Sequence, residues 1–376
     1  MQNKVVISDY EILTAYGLGI EHNWQKLIKG KTAIVKNERF STEHFISSFA
    51  GIIPSLNYNA EKSLTLQMLE KLKVNKKPAI TNPELLILAT TLGEIDFLEQ
   101  SIINEETSKI QKSHTNYFLN KTKNLFNAKK GILISAACAS STTGIAYAAN
   151  LIKTGKIQNA IIIGCDAVTE FVFSGFSALL ALSGAPAKPF DKNRNGLTIG
   201  EGAAYLFLTS ENYAKEHDLP INAYISGSGM SNDANHITGP SRDGGGLAEA
   251  INKALDSADL TYSDIGAISA HGTGTAYNDS MEMKAFKTVL ANPVPTYSLK
   301  GGIGHTMGAA GIIEVIIAAK SFQESIIPPT VGLIQTDDEA KGWVNKKPQP
   351  SDSKYCLSVN SGFGGINTAV IIEKNS

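Results

Sequence analysis

Apolar and polar positions along the 376-residue chain alternate between two kinds of segment. Short β-branched runs (KVVIS, GILISA, AIIIGC, GAAYLFLTS, INAYISGS, IGAISA, TYSLK, CLSVNS and TAVIIEK) read as strands. Between them lie amphipathic or Ala-rich stretches at 145–153, 247–256, 280–290 and 311–322, whose apolar spacing reads as helix. Strands alternating with helices predict an α/β architecture with largely parallel strands buried on both faces. Gly and polar residues crowd several strand ends, where open α/β sheets place their sites. The halves are loosely alike, because GILISAAC feeding a helix parallels the later IGAISAHGTGT and SVNSGFGG. The stretch ENYAKEHD (211–218) predicts the connection between them, dividing the chain into 1–215 and 216–376. Segment 58–130 has the weakest pattern, and its Lys/Asn-rich runs predict surface helices and loops. Its lysines (Lys71, Lys73, Lys76, Lys77, Lys121, Lys123, Lys129 and Lys130) form either a solvated face or a docking surface for an acidic partner.

Composition narrows the classes. Apolar residues make up 43% of the chain, ample for a core, and the net charge is −1. That balance gives no bulk electrostatic case for nucleic acid or an anionic membrane. Basic charge is nearly all lysine, with only Arg39, Arg194 and Arg242, too few for a phosphate-reading surface. Three dispersed cysteines (Cys138, Cys165, Cys356) with no CxxC argue against a disulfide framework or zinc cluster and for a reducing cytoplasm. The N-terminus enters a strand directly, without a signal-peptide layout. The longest apolar stretch, 171–187, is broken by Ser174, Gly175, Ser183, Gly184 and Pro186, so no membrane span is expected.

Four islands carry candidate chemistry. In AACASS, Cys138 ends an apolar run just before a helical pattern. A thiol there meets unpaired N–H groups and the positive end of the helix dipole, which favour thiolate and offer an oxyanion site. The bland alternative is a small buried residue, the reading given to Cys165 and Cys356 inside strands. In SAHGTGTAYNDSMEMKAF, His271 closes a strand, Thr273 and Thr275 follow, and Asp279 and Glu282 stand where they complement a helix start or brace the turn. In SLKGGIGHTMGAAGIIEV, Lys300 and His305 sit on a Gly-rich turn and Glu314 on the next helix. That turn lacks the GK[ST] ending of a phosphate loop. In SVNSGFGGINTAV, Phe363 stands between glycines, either a gate or a packed aromatic. A thiol with two histidines suits acyl chemistry, the thiolate attacking a thioester while imidazoles polarise a carbonyl. Metal binding is the rival, but no pair has i, i+4 spacing.

In their order, Cys138, His271, Lys300, His305 and Phe363 resemble the β-ketoacyl-acyl-carrier-protein synthases of the thiolase fold, specifically the Cys-His-His branch. KPFDKNRNGLTIGEGAA (188–204) and SNDANHITGP (231–240) are similar to the family's strand-flanking segment and pocket loop. The likeness is weak over 1–60 and strong over 131–374. It implies two tandem βαβαβαββ-type halves in a five-layered αβαβα body, dimeric, with no permanently bound cofactor or metal. It further implies that Cys138 takes the acyl chain and that His271 and His305 bind the malonyl thioester and promote decarboxylation. Lys300, paired with Glu314, would organise the site, and the N–H groups of Cys138 and Phe363 would hold the oxyanion on the Phe363–Gly364 turn. Phe363 would gate access. Thr273 and Thr275 would contact the phosphopantetheine arm of an acyl carrier protein, and Phe176 and Thr238 would line the pocket.

Three departures bear on specificity. Segment 58–131 is shorter than in bacterial elongating synthases, Leu180 stands where many relatives carry a basic residue near the carrier entrance, and HGTGTAYND replaces the commoner HGTGTPLGD-like form. They point to an accessory synthase of an aryl-polyene or other specialised pathway. The alternative role is a subunit of a heterodimeric ketosynthase/chain-length-factor pair that shapes its partner, against a homodimer. Acyl transfer or hydrolysis without condensation would use the same thiol but not both histidines.

Overall fold

Alternate residues of one strand feed two different cores, and this sets the architecture. Ile161 and Ile163 of the strand Asn159–Asp166 join one apolar cluster, while Ala160 and Ile162 join another. In the computed structural model, which describes residues 3–59, 61–74, 82–106, 110–111 and 113–375, the main sheet has eleven strands, a short one, Gly17–Leu18, paired only with the first, and ten in a continuous path. The first five are β1 (Val5–Thr14), β2 (Leu85–Ala89), β3 (Lys130–Ile134), β4 (Asn159–Asp166) and β5 (Gly202–Ser210). The others are β6 (Ala223–Asn232), β7 (Ile265–Ser269), β8 (Thr296–Tyr297), β9 (Tyr355–Gly362) and β10 (Ile366–Lys374). Their spatial order is β8-β7-β9-β10-β6-β1-β5-β4-β2-β3.

That order is a pseudo-twofold. Outward from the β1–β6 contact, each half runs antiparallel, antiparallel, parallel, parallel. The parallel pairing expected from the sequence holds only for the outer strands; the inner pairs β1–β5, β4–β5, β6–β10 and β9–β10 are antiparallel. Segment 211–218 links the halves through a short helix, Glu211–Glu216, before β6 begins.

Helices fill three layers. Helices α1 (Leu64–Val74) and α2 (Thr115–Leu125) cover the outer face of the first half. Helix α3 (Ser140–Lys153) packs against strands of both halves. The next two are α4 (Glu170–Ala178), beside the site, and α5 (Gly245–Ser257). Helix α5 covers the second half together with α6 (Ala276–Val289). Helix α7 (Ala310–Glu324), buried from Ala310 to Phe322, shares the middle layer with α3. The five αβαβα layers follow. Close approach of α3 and α7 requires Gly311, since a Cβ there would collide with the Thr142 hydroxyl.

Segment 58–130 carries the helices expected of it, α1 and α2, but also a strand that its pattern does not predict. Strand β2, LLILA, is fully buried between β3 and β4, and α1 and α2 send Leu64, Met68, Leu69 and Phe118 into the core. A five-residue apolar run without alternation does not distinguish strand from helix, so the pattern left β2 unread. Lys121 pairs with Glu94 at 2.9 Å instead of facing a partner, and Lys76 and Lys77 lie outside the described residues.

Candidate active site

Strand β3 delivers Cys138 through a tight turn in which Ala137 takes the left-handed region (φ 48°). Ser140 closes the turn, its Oγ donating to Ala137 O and accepting from Ala136 N–H, so that α3 starts immediately after the thiol. The thiol therefore faces the helix N-terminus, as the sequence pattern predicts. The N–H groups of Phe363 and of Cys138 itself lie against the sulfur. Gly362 brings the Phe363 turn close, since a Cβ on it would meet Ala136 O at 2.9 Å.

Two strand ends bring the imidazoles to that sulfur. His271 follows β7, and its N–H and that of Gly272 donate to the Glu282 carboxylate at 2.7 Å each. Asp279 accepts from Thr273, Gly274 and Phe190 N–H. Both acids brace the turn from α6 and do not line the pocket. His305 is held by a bridge to Ile199, its N–H donating to Thr198 O at 2.7 Å. Gly200 makes this approach possible, because a Cβ would run into Ile303 O. Cys138 and one ring nitrogen from each histidine lie within 4.8 Å of one another, with the rings edge-on at 5.1 Å.

The outer ring nitrogens fix the tautomers. His305 Nδ1 accepts the Met307 N–H at 3.2 Å. His271 Nδ1 faces the Lys300 ammonium at 3.3 Å and the Asn360 amide at 3.2 Å. With donors at both Nδ1 atoms, a neutral ring carries its proton on Nε2. Burial, then Lys300, hold both imidazoles well below their ordinary pKa, His271 being lowered further by His305, so both are neutral. His305 Nε2 is buried with no protein partner and lines the pocket side. Soft donors of this kind could by type bind zinc, but metal at Nε2 requires the proton on Nδ1. Here that would set N–H against N–H, so the surroundings do not fit a metal.

Lys300 and Glu314 sit behind the imidazoles, paired at 2.6 Å and each 2% exposed. Asn360 ties this pair to the nucleophile helix: its amide donates to Glu314 Oε2 at 2.7 Å and its carbonyl accepts the Thr142 hydroxyl. The reading of the residues passed over Asn360 and Thr142, though an Asn in the apolar strand YCLSVNSG is a visible signal. Burial pushes the Cys138 thiol up to about 12, and Lys300 and the two N–H groups offset this only in part. The thiolate preference expected from the helix dipole is therefore outweighed by desolvation in the resting site.

A pocket of about 540 Å³ opens above the sulfur. Thr273, Thr275, Thr238, Phe176 and Phe363 line it, with the two phenyl rings 5.7 Å apart. Leu180 stands on its rim, 75% exposed. His236 also lines it, its Nδ1 accepting from Thr238 and Gly239 N–H, and was not singled out by the sequence. Gly364 does not point inward, because its N–H donates to Ile237 O at 2.7 Å. Gly364 thereby latches the Phe363 turn. Cys165 and Cys356 are core residues.

Two pseudo-symmetric halves that place a helix-start thiol against two strand-end imidazoles define a thiolase-fold condensing enzyme. Comparison with known proteins specifies the family. Residues 127–214 match the beta-ketoacyl synthase N-terminal domain and residues 222–333 its C-terminal domain. The chain is 30% identical to the 3-oxoacyl-[acyl-carrier-protein] synthase 2 of Vibrio cholerae, with 99% of each chain covered. It is 29% identical to the tetracenomycin polyketide synthase ketoacyl synthase alpha subunit of Streptomyces glaucescens, covering 99% of this chain and 97% of that one. The ishigamide ketosynthase/chain length factor superposes with a TM-score of 0.91 at 26% identity over 100% of both chains. The chain belongs to the β-ketoacyl synthase family and is an acyl-transferring condensing enzyme of fatty-acid or polyketide elongation. Among the described residues no helix is long and apolar enough to cross a membrane.

Proposed function

We propose that Cys138 accepts an acyl chain from the phosphopantetheine arm of an acyl carrier protein and passes it to malonyl carrier by decarboxylative condensation. The convergence of the thiol and two Nε2–H imidazoles within 4.8 Å carries this reading. In the first step Sγ bonds to the acyl carbon, the carrier's C–S bond breaks, and the departing thiolate takes the Cys138 proton. In the second, the malonyl thioester oxygen accepts from Nε2–H of His271 and His305, the bond to the carboxylate breaks, and carbon dioxide leaves. The electron pair resides in an enolate that both donors stabilise. The enolate carbon attacks the acyl-Cys138 carbonyl, the N–H groups of Cys138 and Phe363 hold the oxyanion, and the C–Sγ bond breaks as the departing thiolate takes a proton from solvent. Lys300, Glu314, Asp279 and Glu282 position the histidines. Thr273 and Thr275 hold the arm, Thr238 and Phe176 line its path, and Phe363 gates it.

The halves 1–215 and 216–376 contribute nucleophile and imidazoles respectively, and the chain works in the cytoplasm without a resident cofactor. The likeness to a ketosynthase/chain length factor supports a heterodimer in which this chain, with its thiol intact, is the active member. Intact-mass measurement after incubation with acyl carrier should show an acyl adduct that Cys138→Ala abolishes, and malonyl carrier should release carbon dioxide. Absence of both signals with every carrier tested would sink the reading. Preferred elongation of ordinary saturated carriers would sink the assignment to a specialised pathway.

A further inference from the structure

A carboxylate outside the catalytic pocket joins the two halves of the chain beside His305. Asp166 ends β4, is buried and does not line the pocket. From the turn after β2, the Thr90 hydroxyl donates to its Oδ1 at 2.7 Å, and the N–H groups of Thr91 and Leu92 do so at 3.1 and 3.3 Å. From the second half, Gly308 N–H donates to its Oδ2 at 2.7 Å. Gly308 must lack a side chain here, since a Cβ would meet Oδ2 at 2.6 Å. Burial raises this carboxyl, and the four donors oppose that by favouring the ionised form.

Gly308 directly follows Met307, whose N–H donates to His305 Nδ1 at 3.2 Å. Met307 takes the left-handed region (φ 50°), which a residue with a Cβ keeps only where its surroundings hold it. Asp166 supplies that hold, gripping the peptide on the far side of Met307. His271 Nδ1 has two donors around it, Lys300 and Asn360. Among the described residues His305 Nδ1 meets the Met307 N–H alone. The tautomer of His305 therefore depends on one N–H, and the placement of that N–H depends on a turn fixed from the other half.

We propose that Asp166 is a positioning residue for condensation. Its bond to Gly308 keeps the Met307 N–H on His305 Nδ1, and so keeps the imidazole proton on Nε2, where the malonyl thioester oxygen accepts it. This rests on the reading of His305 as a donor in decarboxylation. Asp166 touches no reacting atom and acts through Gly308, Met307 and His305 in turn.

Nitrogen NMR of the full chain with isotope-labelled histidine reads each tautomer directly, the His305 signals being those lost in His305→Gln. In the wild type the His305 proton should sit on Nε2, and finding it on Nδ1 overturns the proposal. Asp166→Asn keeps the size of the side chain, but its carbonyl satisfies the three donors of the 90–92 turn best when its amide N–H faces Gly308 N–H. The His305 proton should then spread to Nδ1 while His271 stays unchanged. Carbon dioxide release from malonyl carrier should fall about a hundredfold, with acylation of Cys138 intact by mass. Thr90→Val loosens the same carboxylate from its other side and should leave the tautomer and the release in place. An unchanged tautomer in Asp166→Asn, equal loss of acylation and release, or the same tautomer shift in Thr90→Val overturns the positioning role. If Asp166→Asn does not fold, Asp166→Ser, whose side chain falls short of Gly308, reads the same split, and full release there overturns the role as well. No release from the wild type with any carrier, beside a His305 tautomer that still answers to Asp166, sinks condensation and leaves the control of His305 standing.

Discussion

At the residue scale, chemistry depends on which proton each imidazole carries, and neighbours decide that. Asn360 contacts His271 Nδ1, Glu314 and Thr142 at once. It acts through His271, as a positioning residue. Asn360→Asp replaces a donor with a charged acceptor, which draws the imidazole proton to Nδ1 and leaves Nε2 unable to donate. Carbon dioxide release should fall about a hundredfold while acylation of Cys138 persists, measured by intact mass beside decarboxylation. Equal loss of both steps would mean Asn360 only supports the fold. Cys138, His271 and His305 were legible because each interrupts its local pattern, a thiol at a helix start and imidazoles at strand ends. Asn360 left a visible mark as a polar residue in an apolar strand, but its role, like that of Thr142, is declared only through partners far away in sequence.

At the element scale, α1 starts on a buried acid. Leu64 N–H donates to Asp96 Oδ2 at 2.7 Å, while Asp96 Oδ1 is buried without a partner. Burial, with Glu94 and Glu99 nearby and the Leu64 N–H opposing, raises this carboxyl from 3.8 to about 7. A raised acid favours folding while protonated, so its contribution is full below about pH 4 and is lost as pH climbs through 7. The loss is ~4 kcal/mol at most. Asp96→Asn keeps an acceptor for Leu64 and cannot ionise, so its melting temperature should fall less than the wild type's between pH 5 and 8. Parallel melting curves would remove Asp96 from the account. Strands with clear alternation or β-branched runs were readable as elements, whereas β2 was not. Its five apolar residues sit in a Lys/Asn-rich stretch, and only pairing with β3 and β4 makes them a strand.

At the scale of the whole molecule, the sheet ends on an open edge. Among the described residues β3 pairs with β2 alone, and Gly131, Ile132, Leu133 and Ile134 on it are half-buried. An unpaired edge of this kind is a template for a second chain, and it leads straight into Cys138. Leu133→Pro removes an edge N–H, so light scattering should show a smaller assembly, with acylation reduced as the turn before the thiol loosens. An unchanged mass would place the subunit contact elsewhere. The sequence by itself determined the alternating α/β pattern, the likeness of the halves and the identity of the reactive residues. These follow from local periodicity and from chemically distinctive side chains at element ends. Only the tertiary structure decided the antiparallel centre of the sheet, the burial of β2 and of the inner faces of α1 and α2, the proton positions on the histidines and the raised thiol. Each of these depends on contacts between residues distant in the chain and on how completely water is excluded, and neither is encoded in any short window of sequence.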